Sequence, residues 1–155
     1  MEKKEYDSKK DTTNHITAVQ MELFHVVQKL KFRGEMHDAS KLEGNEKKCF
    51  DEITPKLKDL EYGTEEYMTE LGKMQSAIDE HYDKNKHHPE HFENGIEDMS
   101  IIDLIEMLCD WNAARQRHTN KKTFLESLEI NTKRFNIPEP IVKLIKNTAV
   151  DMMWT

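Results

Sequence analysis

The sequence has 155 residues, 36% of them hydrophobic and 34% charged, which fits one soluble folded domain and excludes a disordered chain. Its apolar runs are all far shorter than the roughly 20 residues that cross a membrane, so we expect no membrane partner. The formal net charge is -7, and lysine and arginine form no cluster, which argues against duplex nucleic acid as a partner.

The two cysteines, Cys49 and Cys109, lie far apart in the sequence and indicate neither a disulfide framework nor a cysteine-based zinc site. The N-terminal residues also lack the apolar stretch of a secretion signal. We therefore expect a protein of the reducing cytoplasm. Residues 1–12 are predicted to form a charged, frayed tail, and residues 13–155 a single domain.

Helical spacing of apolar residues dominates the rest of the chain, and no hairpin signal interrupts it. The first helix is predicted over residues 14–31, with an end near Gly34. A weaker helix or a pair of turns follows and stops at Pro55. Thr64 is a suitable N-cap for the next helix, whose apolar side reaches His81.

The C-terminal half continues this pattern. Ser100 is predicted to cap the most apolar helix, a further helix spans about residues 120–135, and Pro138 and Pro140 start the last one. We expect Trp154 to pack either against the body of the protein or against a partner. A homodimer is a separate expectation for the partners of this chain. Together the predicted elements form an all-α fold, a compact single-domain helical bundle.

The segment from His37 to Lys41 carries the first chemical signal. The adjacent residues His37 and Asp38 offer one metal ion an imidazole nitrogen and a carboxylate oxygen. Lys41, one helical turn later, would place an ammonium group beside a substrate held by that metal. The alternative interpretation is a turn and a helix start that bind no metal.

An upstream histidine, His15 or His25, would add a further nitrogen ligand. His15 borders the apolar stripe of the first helix, whereas His25 lies on the far side of the helical wheel. We therefore prefer His15 as the upstream ligand and keep His25 in reserve. The alternative for His15 is a packed or capping histidine beside the core.

Histidines recur around the end of the helix that follows Thr64. His81 lies on the apolar side of that helix, where burying an imidazole without a partner is costly. His87 and His88 come where the helix should end, and Glu90 lies just beyond them. The alternative is an exposed, polar helix end without a metal.

Asp110 lies beside the most apolar stripe of the protein, where a carboxylate needs a cation or hydrogen-bond donors. The alternative to a metal is a salt bridge with Arg115 or Arg117. Glu106, Arg117 and His118 would then contact the metal ligands or the substrate.

The order of these residues resembles the HD superfamily, a group of all-helical metal-dependent enzymes that are mostly phosphohydrolases and phosphodiesterases. It is similar to small uncharacterised bacterial and phage members with an HD-x-SK motif and an N-x-HH segment, which begins here at Asn85. The resemblance implies one or two divalent transition metals: Mn, Fe, Co, Ni or Zn. It implies that a first metal is held by His15, His37, Asp38 and Asp110, and that a second is held by Asp38, His81 and either His88 or His87.

By that resemblance we expect hydrolysis of a phosphate ester, with a nucleotide or a cyclic or signalling nucleotide as the substrate. One histidine of the His87-His88 pair, or Glu90, would protonate the leaving oxygen. The catalytic residues would be Asp38, Lys41, His87 and Glu90. The substrate contacts would be Lys41, Arg115, Arg117 and His118. The alternatives are a di-iron oxygenase with the same ligands and a phage-type protein that binds or sequesters a nucleotide without turnover.

Overall fold

The computed structural model of the chain describes residues 6–60, 64–115 and 122–154. These residues form seven α-helices and no β-strand, which confirms the predicted all-α fold. The chain divides into two units, Met1–Met36 and His37–Thr155. Across the described ranges, no helix combines the length and the apolarity that crossing a membrane requires.

In the first unit, the described residues form one long helix, α1 (Lys9–Met36). It begins inside the segment predicted as a frayed tail and continues through Gly34, where we predicted its end. A glycine inside a helix costs only about 1 kcal/mol relative to alanine, and a helix of 28 residues tolerates that cost. The helix ends at Met36, directly before the His37-Asp38 pair.

The second unit begins with a short 3-10 helix, Ala39–Leu42, followed by α2 (Gly44–Lys58). We predicted a stop at Pro55, which is wrong, because α2 continues through this residue to Lys58. Pro55 has no N–H and removes one backbone hydrogen bond. It lies on an exposed side of α2, where water can bind the carbonyl that loses its donor.

The helix predicted from Thr64 to His81 is two helices, α3 (Glu65–Gly72) and α4 (Gln75–Lys84). Thr64 caps α3 as predicted, and its hydroxyl oxygen accepts a backbone N–H of the first turn. The break follows Gly72, a residue of poor helix propensity. Both α3 and α4 pack against α2.

Three helices form the C-terminal part: α5 (Ile101–Arg115), α6 (Phe124–Arg134) and α7 (Glu139–Asp151). Ser100 caps α5 as predicted. Its hydroxyl oxygen accepts the backbone N–H of Asp103, and the Asp103 carboxylate accepts the backbone N–H of Ser100. Helix α6 packs against both α5 and α7.

The hydrophobic core of the second unit lies where α5, α6 and α7 meet. Phe124 is fully buried, and Trp154 packs against it with ring centroids 5.0 Å apart, which is the first of the two arrangements predicted for Trp154. Helix α5 directs Met107 and Leu108 into this core. Its polar residues Glu106 and Asp110, four positions apart, share another side of the helix. The buried core residues are Ile96, Leu104, Met107, Leu108, Phe124, Leu128, Ile137, Ile145 and Ala149.

Candidate metal centre

The His37-Asp38 pair lies in the turn between α1 and the short 3-10 helix. Asp38 has a left-handed backbone conformation, with φ 55° and ψ 17°, which aspartate tolerates better than most residues. Its carbonyl accepts the Lys41 backbone N–H at 2.9 Å, and its Oδ2 atom accepts from Lys41 Nζ at 2.7 Å. The turn thereby leaves the second carboxylate oxygen, Oδ1, facing away from Lys41 and toward the histidines.

Asp38 Oδ1 is the centre of the site. It is buried and has no hydrogen-bond partner among the described residues. The Nε2 atoms of His81 and His87 lie 3.3 Å and 3.5 Å from it. His88 completes the group, with its Nε2 atom 2.9 Å from His81 Nε2. The candidate ligand atoms of Asp38, His81, His87 and His88 all lie within 4.8 Å of one another.

A buried glutamate on α5 contacts two imidazoles of the site, those of His37 and His87, on the side away from Asp38. Glu106 Oε1 lies 2.9 Å from His37 Nδ1 and 3.2 Å from His87 Nδ1. A carboxylate only accepts hydrogen bonds, so the Nδ1 atoms of His37 and His87 both carry protons directed at Glu106. Histidines that bind metals are commonly oriented in this way by a carboxylate behind them.

Asp110 reaches the site from the same side of α5. Its Oδ1 atom lies 3.6 Å from His37 Nε2. The alternative salt bridge to Arg115 is not the arrangement seen, because Arg115 Nε donates to Asn112 Oδ1 at 2.7 Å. The other alternative partner, Arg117, lies outside the described residues. Asp110 therefore faces an imidazole that also contacts Asp38, with His37 Nε2 3.8 Å from Asp38 Oδ2.

The closely spaced charges change the proton affinities of the site. Hydrogen bonds to Asp110 and Glu106 raise the pKa of His37 to about 10. Burial alone would raise the pKa of Asp38, but His81, His87 and Lys41 together hold that pKa well below its usual range. Burial and the neighbouring imidazoles lower the pKa of His88 to about 3. A cation that bound here would therefore displace protons from some groups and find others already deprotonated.

The structure brings most of the predicted site residues together. The described residues of the second unit that meet around Asp38 are His37, Lys41, His81, His87, His88 and Asp110.

Other predicted residues lie elsewhere. Glu90 follows His88 in a short 3-10 helix, and its Oε1 atom accepts from Arg134 Nη2 on α6 at 2.8 Å. His15 and the reserve residue His25 lie on α1 with exposed side chains. Their assignment stays a prediction. His118, like Arg117, lies outside the described residues.

The sequence analysis missed Glu46, a fully buried glutamate on α2 whose Oε2 atom lies 3.0 Å from His81 Nδ1. A signal for it was present. Glu46, Phe50 and Ile53 have the i, i+4, i+7 spacing of one helix face, and Ile53 is buried. A carboxylate on a buried helix face needs a cation or a hydrogen-bond donor, and an imidazole is one candidate donor.

Comparison with known proteins identifies the family of the chain but assigns it no function. The model of a family of unknown function, DUF5662, matches residues 4–151 of the chain. No curated protein and no solved structure matches it. The resemblance to the HD superfamily therefore stays a prediction that depends on the residues named above.

Proposed function

The chain belongs to DUF5662, a family of unknown function, and from its own site we propose that it is a metal-dependent phosphohydrolase. The observation that carries the proposal is the environment of the Asp38 Oδ1 atom. This oxygen is buried, lacks a hydrogen-bond partner within the described part of the chain, and faces the Nε2 atoms of His81 and His87. A divalent cation would compensate its charge and accept the lone pair of His81 Nε2.

The donor set fits this cation. The candidate ligands around Asp38 are imidazole nitrogens and carboxylate oxygens, a combination that suits Mn, Fe, Co, Ni or Zn. His81 and His87 face the Oδ1 atom of Asp38, and His37 faces its Oδ2 atom. Asp38 would therefore be a ligand of both metals if two bind. The proposed ligands of the one or two metals within the second unit are His37, Asp38, His81, His88 and Asp110.

A metal held there would supply a Lewis acid for the phosphoryl oxygens and would lower the pKa of a coordinated water. Lys41 supplies a second positive charge. Its Nζ atom lies 2.7 Å from Asp38 Oδ2, and its side chain is 33% exposed, so the flexible ammonium group can bind a phosphoryl oxygen of an arriving substrate. Arg115, five residues after Asp110 on α5, is the proposed cation for a more distant part of the substrate.

The leaving oxygen needs a proton. Of the predicted donors, His87 lies inside the group of residues around Asp38, whereas Glu90 binds Arg134. The geometry therefore favours His87 over Glu90 as the residue that delivers this proton. His88 is a less suitable donor, because burial and the neighbouring imidazoles lower its pKa to about 3.

The substrate class proposed is a nucleotide or a cyclic or signalling nucleotide, and it follows from the HD resemblance. We also propose that the reaction takes place in a reducing cytoplasm, which agrees with the free thiols of Cys49 and Cys109.

A substrate screen tests the proposal. Protein loaded in turn with Mn²⁺, Fe²⁺, Co²⁺, Ni²⁺ or Zn²⁺ is incubated with nucleoside monophosphates, cyclic nucleotides and p-nitrophenyl phosphate, and phosphate or nucleotide products are measured. We expect turnover of at least one ester, lost in Asp38→Asn and retained in the control Asp51→Asn, whose carboxylate is exposed on α2. Nucleotide binding without turnover would contradict the proposal and favour a sequestering protein. Iron-dependent oxygen consumption would favour the oxygenase.

A further inference from the structure

Two polar residues of the HD-x-SK and N-x-HH segments, Ser40 and Asn85, have no role in the mechanism above. Ser40 contacts Glu46, whose side chain is 0% exposed, and Asn85 contacts Ser40. Ser40 Oγ donates to Glu46 Oε2 at 2.8 Å, and Asn85 Nδ2 lies 3.0 Å from Ser40 Oγ. The same Glu46 oxygen lies 3.0 Å from His81 Nδ1. Three parts of the chain thus meet at one carboxylate behind a proposed metal ligand.

The hydrogen bonds around His81 indicate which of its two ring nitrogens carries the proton. Glu46 Oε2 only accepts hydrogen bonds and lies 3.0 Å from His81 Nδ1, so this nitrogen carries the proton. The amide of Asn85 has two hydrogens and three candidate acceptors in reach, the His81 carbonyl at 2.8 Å and both Ser40 Oγ and His81 Nδ1 at 3.0 Å. With His81 Nδ1 protonated, the two amide hydrogens go to the two oxygens. The single hydroxyl hydrogen of Ser40 goes to Glu46. Neither residue then has a hydrogen left for His81 Nδ1, although both lie close to it. The hydrogen count is thus consistent with His81 Nδ1 as a donor and Glu46 as its acceptor.

We propose that Glu46, assisted by Ser40 and Asn85, is a positioning residue that keeps the His81 proton on Nδ1. The lone pair of His81 Nε2 is then directed at the space beside Asp38 Oδ1, 3.3 Å away. The role of the Nε2 atom as a metal ligand rests on the proposed function, whereas the position of the proton does not.

A purely structural role explains Glu46 less well. Its Oε1 atom is buried and has no hydrogen-bond partner in the part of the chain that the structure describes, and the nearest cation, Lys84 Nζ, is 3.6 Å away. A buried carboxylate with an unsatisfied oxygen is a poor stabiliser. A negative charge behind an imidazole, in contrast, makes its other nitrogen a better ligand.

The first test uses the unmodified full-length chain. Long-range ¹H–¹⁵N spectra of the metal-free protein at pH 9 report which imidazole nitrogen of each histidine carries a proton, and the His81 signals are those missing from His81→Gln. We expect a proton on Nδ1 of His81 and none on Nε2. A proton on Nε2 would overturn the proposal. This measurement needs no metal, so it decides the position of the proton even if the proposed function fails.

The second test measures Zn²⁺ affinity by competition with a chromophoric chelator. We expect Glu46→Gln to bind Zn²⁺ roughly 10- to 100-fold more weakly than the wild type. The control is Glu52→Gln, an exposed glutamate on the same helix, which should match the wild type. Circular dichroism and a melting temperature at or above that of the wild type would show that Glu46→Gln is folded. Equal Zn²⁺ affinity in the wild type and Glu46→Gln would refute the role of Glu46, whereas a wild type that binds no metal would refute the proposed function.

Discussion

The carboxylate of Glu106 lies 2.9 Å from Nδ1 of His37, although 69 residues separate them in the sequence. Helix α5 thus orients a histidine that lies just beyond the end of α1. The same oxygen atom also holds His87, from the loop after α4. One buried side chain therefore aligns two of the imidazoles that surround Asp38, and its loss should affect both.

We expect Glu106→Gln to weaken metal binding by roughly 10- to 100-fold, because an amide carries no charge and makes a weaker acceptor for two imidazole N–H groups. The affinity is measured by metal competition, with Glu129→Gln on the exposed side of α6 as the control. An affinity equal to that of the wild type would show that Glu106 serves stability alone.

The raised pKa of His37 predicts how the stability of the metal-free protein depends on pH. Because Asp110 and Glu106 raise this pKa from 6.5 to about 10, the folded state holds the proton more tightly than the unfolded state does. The resulting stability is fully present below pH 6.5 and is lost as the pH rises through 10. In the presence of a chelator, the melting temperature of the wild type should fall over this range by more than that of His37→Gln. Parallel curves for the two proteins would contradict the assigned contacts.

The left-handed conformation of Asp38 predicts an unusual order of stabilities. Glycine adopts this conformation without strain, whereas alanine pays about 1 kcal/mol or more. Both substitutions remove the carboxylate, so Asp38→Gly should be more stable than Asp38→Ala by about that amount in chemical denaturation. At position 39, inside the 3-10 helix, alanine should be the more stable residue, so Ala39→Gly should be less stable than the wild type. If Asp38→Ala were the more stable of the pair, the turn would have a different backbone.

Glu90 provides a test between the two predicted proton donors. Since Glu90 accepts from Arg134, Glu90→Gln should lower the free energy of unfolding by less than about 1 kcal/mol, as is usual for an exposed ion pair. Turnover of whichever ester the protein hydrolyses should stay within a few-fold of the wild type, and His87→Gln should abolish it. A large loss of turnover in Glu90→Gln, but not in Arg134→Gln, would return the role to Glu90.

The fold class and two helix caps could be predicted from the sequence because they depend on local signals. Apolar periodicity gave the helices, and Thr64 and Ser100 marked two of their starts. The break between α3 and α4 and the passage of α2 through Pro55 were missed. At both places the helix propensity of single residues competes with packing against neighbouring helices. A short stretch of sequence carries no information about that packing.

The candidate site was predictable in part for a related reason. Histidine and aspartate are uncommon beside apolar stripes, so His81 and Asp110 were recognisable one at a time. Of the two glutamates that contact the histidines, Glu106 was predicted as a contact of the metal ligands or the substrate, and Glu46 was missed. Glu46 and Glu106 are two among many acidic residues of this chain, and their roles depend on hydrogen bonds to histidines far away in the sequence.

The most direct test of a metal centre around Asp38 is the metal content of the protein. Wild type and Asp38→Asn are purified without added metal or chelator, and their metal content is measured by inductively coupled plasma mass spectrometry. Asparagine also tolerates the left-handed backbone, so this variant removes the charge and leaves the turn intact. The account predicts one or two equivalents of a transition metal in the wild type and a clear loss in the variant. An absence of metal from both, even after incubation with Mn²⁺, Fe²⁺, Co²⁺, Ni²⁺ or Zn²⁺, would contradict it.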